Sequence, residues 1–188
     1  MKLALPLSKM LVATALATVL ALPSGSAAWA AGAATVAPPA KAKNWTPPAA
    51  KIHAQVLADE IMAKHPELLS VTFHGVPPGL DKVYTMFAGS FPDRIGNPDD
   101  PDDIDVITKG ITIVDPRWNR VNDPVRKFVM MLPLRDDAGG HIGLLVLAYK
   151  NPPNLGKTEM DFFAAASALR DDLKKQIPSY AALFKPAR

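Results

Sequence analysis

The fold turns on one stretch, Arg126 to Lys150, which reads RKFVMMLPLRDDAGGHIGLLVLAYK. Two apolar runs, Phe128 to Leu134 and Ile142 to Tyr149, flank Asp136-Asp137-Ala138-Gly139-Gly140. The runs have strand length, and the Asp/Gly cluster between them has turn chemistry. Glycine reaches positive φ without a Cβ clash, so the chain can reverse there. The stretch predicts a long antiparallel hairpin. Neither run alternates cleanly: Leu144, Leu145, Val146 and Leu147 put bulk on both sides of the pleat. A strand that is apolar on both faces must be covered on both. The rest of the chain therefore has to supply two covering layers.

Downstream, Asn151-Pro152-Pro153-Asn154 ends the hairpin. Thr158 then caps a helix running to about Gln176, with Asp161 placed for a capping box. Phe162, Ala166, Leu169 and Leu173 fall on one face of it. Upstream, Ile111 to Val114 reads as a strand, joined to the hairpin by the polar loop 115–124. Asp103 to Lys109 reads as a short helix closed by Gly110. Val71 to His74 and Lys82 to Ala88 read as strands around a Pro/Gly loop. Ala49 to Leu69 reads as a helix with the stripe Ile52, Val56, Leu57, Ile61, stopping or kinking at Lys64–His65 before Pro66.

The order is helix, two strands, short helix, three strands, helix. This predicts an α+β domain with a five-stranded antiparallel sheet, a long N-terminal helix and a C-terminal helix. The two long helices can cover one face. The short helix and the loops at 75–80, 91–100 and 115–124 can cover the other, a layering that leaves room for a ligand-sized pocket.

Length and composition bound the rest. The 188 residues suffice for one domain. Residues 1–30 carry Lys2 and Lys9, an apolar run from Met10 to Pro23, and Ala28-Trp29-Ala30. These are the three regions of a Sec-type signal peptide. The alternative, an uncleaved anchor, is disfavoured because about 13 apolar residues fall short of the roughly 20 that span a bilayer. Cleavage after Ala28 is as readable as cleavage after Ala30. The expected product is periplasmic or secreted. Residues 31–49 form an Ala/Pro-rich linker, in which Trp45 either tacks onto the domain or stays exposed. The domain is expected over 50–178, with 179–188 as a C-terminal tail.

Removing Lys2 and Lys9 from the 21 basic residues leaves 19 against 18 acidic ones, so the net charge of +3 falls to +1. The basic pI of the whole chain is thus no argument for nucleic acid, and no basic cluster with interleaved aromatics supports one. The absence of cysteine excludes disulfides, iron–sulfur clusters and thiol catalysis. Ser90 and Ser167 lack a G-x-S-x-G context, and Gly139-Gly140 is a turn, not a phosphate loop. Asp99 to Asp105 holds five carboxylates in seven residues. Their spacing does not match an EF-hand, and acids at a helix start oppose the macrodipole, which is the plainer reading. No catalytic residue, cofactor or metal ligand is expected.

This order of elements, with particular residues, resembles the single Cache family of extracytoplasmic PAS-like sensor domains. Three features carry the resemblance, over roughly Ile52 to Lys150. Asp93-Arg94-Ile95-Gly96 followed by Pro98-Asp99-Asp100-Pro101-Asp102-Asp103 is similar to the family's R-I-G-x-x-x-D stretch before a short helix. Leu132-Pro133-Leu134-Arg135-Asp136 with Gly140-His141-Ile142-Gly143 is similar to its P-L-x-D…G-x-x-I-G hairpin. The long N-terminal helix is the third. Family members usually sit between transmembrane helices ahead of a kinase or chemotaxis module. This sequence departs from them, with no second hydrophobic span and no output module. The resemblance therefore implies an exported small-molecule binding or sensor protein that passes any signal to a separate partner. The ligand it implies is a small carboxylate or an amino acid. The alternative is a protein-interaction accessory subunit of a membrane receptor with no ligand of its own. A membrane-bound receptor or kinase, or a second copy of the chain, are the expected protein partners.

Six residues are candidates for ligand contact. His74 ends a strand beside the Pro/Gly loop, where the plainer alternative is an exposed strand-end histidine. Tyr84 shares a strand face with Met86 and Ala88, and its hydroxyl could reach a ligand in the pocket. Arg94, Arg117 and Lys127 could grip a carboxylate, although an ion pair with residues 99–105 would equally occupy Arg94. Tyr149 closes the same rim at the end of the last strand.

Overall fold

The hairpin forms where its residues require it. In a computed structural model that describes residues 42–114 and 125–187, strand β4 (Lys127–Arg135) pairs antiparallel with strand β5 (His141–Lys150). Asp136 builds the turn, accepting from Gly140 N at 2.7 Å through its side chain and from Gly139 N at 2.9 Å through its carbonyl. Gly139 sits at φ +84, a conformation that favours glycine. Parity along β5 resolves the unbroken apolar run. Leu145, Leu147 and Tyr149 enter one cluster of buried side chains, and Leu144 and Ala148 enter another.

Strands β1 (Leu68–Gly75), β2 (Thr85–Gly89) and β3 (Ile113–Val114) complete a five-stranded antiparallel sheet in the order β2-β1-β5-β4-β3. Helix α1 (His53–Lys64) and helix α3 (Glu159–Leu173) both pack on one face. Leu57 and Ile61 of α1, and Phe162, Ala166 and Leu169 of α3, lie against Val71, Phe73, Met130, Leu132, Leu145 and Leu147. Phe162 stacks on Phe128 with ring centroids 4.6 Å apart. The Thr158–Asp161 capping box fixes the start of α3, Thr158 N donating to Asp161 Oδ2 at 2.7 Å. Helix α2 (Pro101–Lys109) lies on the other face, where Val106 meets Val129, Met131, Leu144 and Ala148.

Three expectations shift. Helix α1 begins at His53, four residues later than its Ala49 expectation, and ends at Lys64 so that β1 can start by Leu68. Strand β2 begins at Thr85 and is irregular opposite Phe73–His74. There Phe87 and Ala88 both enter the helix-side cluster, so simple alternation from Tyr84 to Ala88 fails. Residues 179–187, expected as a tail, pack on the domain instead. A 3-10 helix, Tyr180–Phe184, buries Leu183, and Tyr180 donates to Val76 O at 2.8 Å. The chain then crosses the start of α1, with Ile52 bridging Pro186 and Ala187 N donating to Lys51 O at 2.8 Å. Trp45 also tacks on, edge-to-face with Phe184 at 6.3 Å. Among the described residues no helix is long and apolar enough to cross a membrane.

Candidate functional site

Strand β1 reads Ser70-Val71-Thr72-Phe73-His74 and lies inside the sheet, between β2 and β5. Val71 and Phe73 point to the long helices. Ser70, Thr72 and His74 take the opposite parity and face the side covered by α2. All three are buried, at 8%, 6% and 7% exposure. Burying polar groups costs free energy unless they find partners. His74 finds two: Thr72 Oγ1 lies 2.7 Å from its Nε2, and Asp99 Oδ1 lies 2.7 Å from its Nδ1.

The segment before α2 delivers Asp99. Residues 96–99 run along β2: Gly96 N donates to Met86 O, Met86 N and the Thr85 hydroxyl donate to Asn97 O, and Asp99 N donates to Tyr84 O. This pairing carries the Asp99 side chain, 1% exposed, over β1 to His74. Asp100 then caps α2, reciprocated by Asp103, whose Oδ2 accepts from Asp100 N at 2.9 Å. Asp103 thereby comes to the same place. One donor atom each from His74, Asp99 and Asp103 lies within 4.8 Å of the others.

Two buried oxygens here have no hydrogen-bond partner, Asp99 Oδ2 and Asn97 Oδ1. Native proteins leave few such atoms unmatched, and each calls for an explanation. Burial works against the charged form of His74, but the Asp99 carboxylate, with Asp103 behind it, outweighs burial and raises the pKa above the ordinary 6.5; Arg94 opposes this. Burial also raises Asp99 above the usual carboxylate range, and Asp103 and Asp100 add to that against the pull of His74. Ordinary ion pairs lower the acid's pKa. Here desolvation reverses that sign, so the pair holds its shared proton more firmly than either group would in water.

Hydroxyl, imidazole and carboxylate in this order form the arrangement that activates a nucleophile. Thr72, however, is 6% exposed on an interior strand, which gives a substrate no approach. Two hollows lie elsewhere. One of about 330 Å³ is lined by Gly75, Val76, Ile107, His141, Gly143 and Tyr180, at the end of the sheet to which His74 belongs. The other, about 400 Å³, runs between α1 and α3 over Leu57, Ile61, Tyr149 and Leu169. Neither is lined by His74 or Asp99, so what the pair accepts from outside is small.

Of the six expected contact residues, the five that the structure describes do not converge. His74 is in the buried cluster, not an exposed strand end. Tyr84 is half-buried just before β2 and reaches the cluster through its carbonyl, which accepts from Asp99 N at 3.1 Å. Arg94 ends a 3-10 turn with its guanidinium 5.4 Å from the centre of the Phe91 ring, close enough to oppose protonation of His74. Arg117 lies outside the described residues. Lys127 pairs in register with Lys150, whereas His74 pairs with Leu144, six residues back along β5 and thus about 20 Å away. Tyr149 is at that far end too and on the other face, 1% exposed beside Phe162. Strand parity, not visible until the hairpin is placed in the sheet, excludes Tyr149 from a rim shared with His74. Its burial also raises its pKa.

Sequence reasoning missed Thr72, Asn97, Asp99 and Asp103 as site residues. A signal was present in β1, whose period-two polar face, Ser70, Thr72 and His74, is out of place in a strand inside a sheet. Asp99 carried none, because its partner is 25 residues away.

No family model matches the sequence, and no curated protein matches it. Solved structures resemble parts of it. The type II free methionine-R-sulfoxide reductase of Thermoplasma acidophilum is 14% identical, over 65% of this chain and 90% of that one, with a TM-score of 0.40. The cyanobacteriochrome receptor PixJ is 20% identical, over 65% of this chain and 96% of that one, with a TM-score of 0.39. The PixJ GAF-domain of Thermosynechococcus elongatus, in its blue-light absorbing form, is 20% identical over 64% of this chain and 86% of that one, with a TM-score of 0.36. At these values no likeness carries an activity or a ligand over to this chain.

Proposed function

We propose that the protein is an exported, non-enzymatic binding or sensor domain of the Cache type, working in the periplasm and signalling through a separate partner. The observation that carries this is the buried polar cluster on the α2 face, Thr72, His74 and Asp99, with one carboxylate oxygen left unmatched. A layer serving only to close the sheet would gain more from apolar side chains. The helix-covered sheet and a second face closed by one short helix support the layering implied by the family resemblance. Native mass spectrometry of the mature protein, purified without denaturant, tests the reading. One small molecule or metal ion per chain, or saturable binding of an amino acid or small carboxylate, is expected. A protein that arrives empty and ignores amino acids, organic acids and metal ions alike removes the binding reading.

A second reading, an accessory subunit that docks on a receptor, has one observation behind it. Met160 and Phe163 on α3 are 68% and 38% exposed. Phe162, beside them in sequence, is buried and takes no part. Light scattering of the isolated protein separates self-association from a monomer that needs a different partner.

A further inference from the structure

We propose that His74, Asp99 and Asp103 bind one divalent first-row metal cation of the zinc and manganese class, between β1 and the start of α2. This rests on the reading of the α2 face as a binding face and names the ligand of its innermost position. The donor set is one imidazole and two carboxylates, which suits borderline cations better than soft ones. Donors held about 2.1 Å from one ion stand about 3 Å apart when adjacent and about 4.2 Å when opposite. His74 Nδ1 and Asp99 Oδ1 are 2.7 Å apart, and all three donors fall within 4.8 Å, so sub-ångström adjustments close the set.

An independent observation points the same way. Asp99 is 1% exposed at its side chain, and its Oδ2 has no partner. Neither hollow is lined by this carboxylate, so its missing partner is the size of an ion or a water rather than of a metabolite. Thr72 Oγ1 holds the other ring nitrogen of His74 at 2.7 Å and fixes the ring, as groups behind a metal-bound histidine commonly do. The start of α2 directs partial positive charge here. Two full carboxylate charges outweigh it. Loading balances simply: the proton shared by His74 Nδ1 and Asp99 Oδ1 leaves to solvent, and the cation takes its place. Affinity should therefore fall as pH falls.

The test is calorimetric titration of ZnCl₂ and MnCl₂ into tagless mature protein stripped with EDTA, at two pH values. One saturable site is expected, tighter at the higher pH. His74→Gln should abolish it, and Asp103→Asn should weaken it 10–100-fold, as Thr72→Val should by its indirect role. Should the His74 variant fail to fold, selective broadening of the His74 ring resonances by Mn²⁺ in the wild type gives the same answer. No saturable binding, or binding untouched by Asp103→Asn and Asp99→Asn, overturns the proposal. An amino acid that binds the stripped protein through Asp99 also overturns it, while leaving the binding function intact.

Discussion

The two faces of the sheet are built on different principles. On the helix side, Phe73, Phe87, Phe128, Phe162 and Tyr149 interlock with leucines from α1, α3 and the C-terminal turn, and nearly every contact is apolar. On the α2 side, Val106 is the single buried residue of its helix, and a small apolar cluster there adjoins the buried polar Thr72, His74 and Asp99. The first face can be understood from water alone, because it removes apolar surface and gains stability in proportion. The second cannot, since His74 there is held between Thr72 and Asp99, and one oxygen of Asp99 is not matched at all. Stability resides on one side of the sheet and chemistry on the other.

The largest effect that would test this division is on the helix side. Phe162→Ala removes a fully buried ring stacked on Phe128 and should cost about 3–5 kcal/mol in urea denaturation. A loss under about 1 kcal/mol would show that the helix layer is not where stability lies. Next comes the buried pair. Asp99→Leu or His74→Leu alone strands a buried partner and should cost roughly 3 kcal/mol, while the double variant should return to within about 1 kcal/mol of wild type. A double variant as unstable as the singles would mean that the pair is structural. Val106→Ala should cost about 1.5 kcal/mol, by the loss of two buried carbons. An effect as large as that of Phe162→Ala would erase the contrast between the faces.

The smallest effect is a slope. Both His74 and Asp99 have raised pKa values in the folded state, so that state holds more protons than the unfolded one. The His74 contribution is complete below its ordinary 6.5 and is lost as pH rises through its folded value. The Asp99 shift has the same sign, favouring the folded form as pH falls toward the ordinary carboxylate value. Thermal melts from pH 8 to pH 5 should therefore show wild type gaining on His74→Gln, with Asp100, Asp103 and Arg94 unchanged in both. A wild type that loses ground on acidification contradicts the shared proton.

Much of the architecture was legible because it is written in local patterns. The Asp/Gly turn, the Thr158–Asp161 box and the Phe162–Leu173 stripe each lie within a few residues, and the structure has all three. The short helix was read over Asp103–Lys109 with Pro101-Asp102-Asp103 opening it, and it runs from Pro101 itself. What was not legible depends on how strands are placed. The irregular register near Phe73–His74 breaks the alternation of β2, and no local signal marks it. The described contact residues scattered for the same reason, Tyr149 and Lys127 landing at the far end of the sheet from His74. The acidic run divided its roles. Asp100 and Asp103 are the helix start that was expected, and Asp99, one residue earlier, belongs to His74.

The closing of the C-terminal segment over Lys51 and Ile52 has a mechanical consequence. The start of α1 and the end of the C-terminal segment lie side by side, so the folded path between them nearly closes on itself. Such a path can be spliced into a longer polypeptide at a single point without pushing its neighbours apart. Force applied across such a splice loads the Asn44–Gly96 and Ala187–Lys51 bonds before the Ile52–Pro186 bridge. Whatever joins this domain on either side is thus coupled to its partner across a clasp of a few residues, rather than through the depth of the sheet.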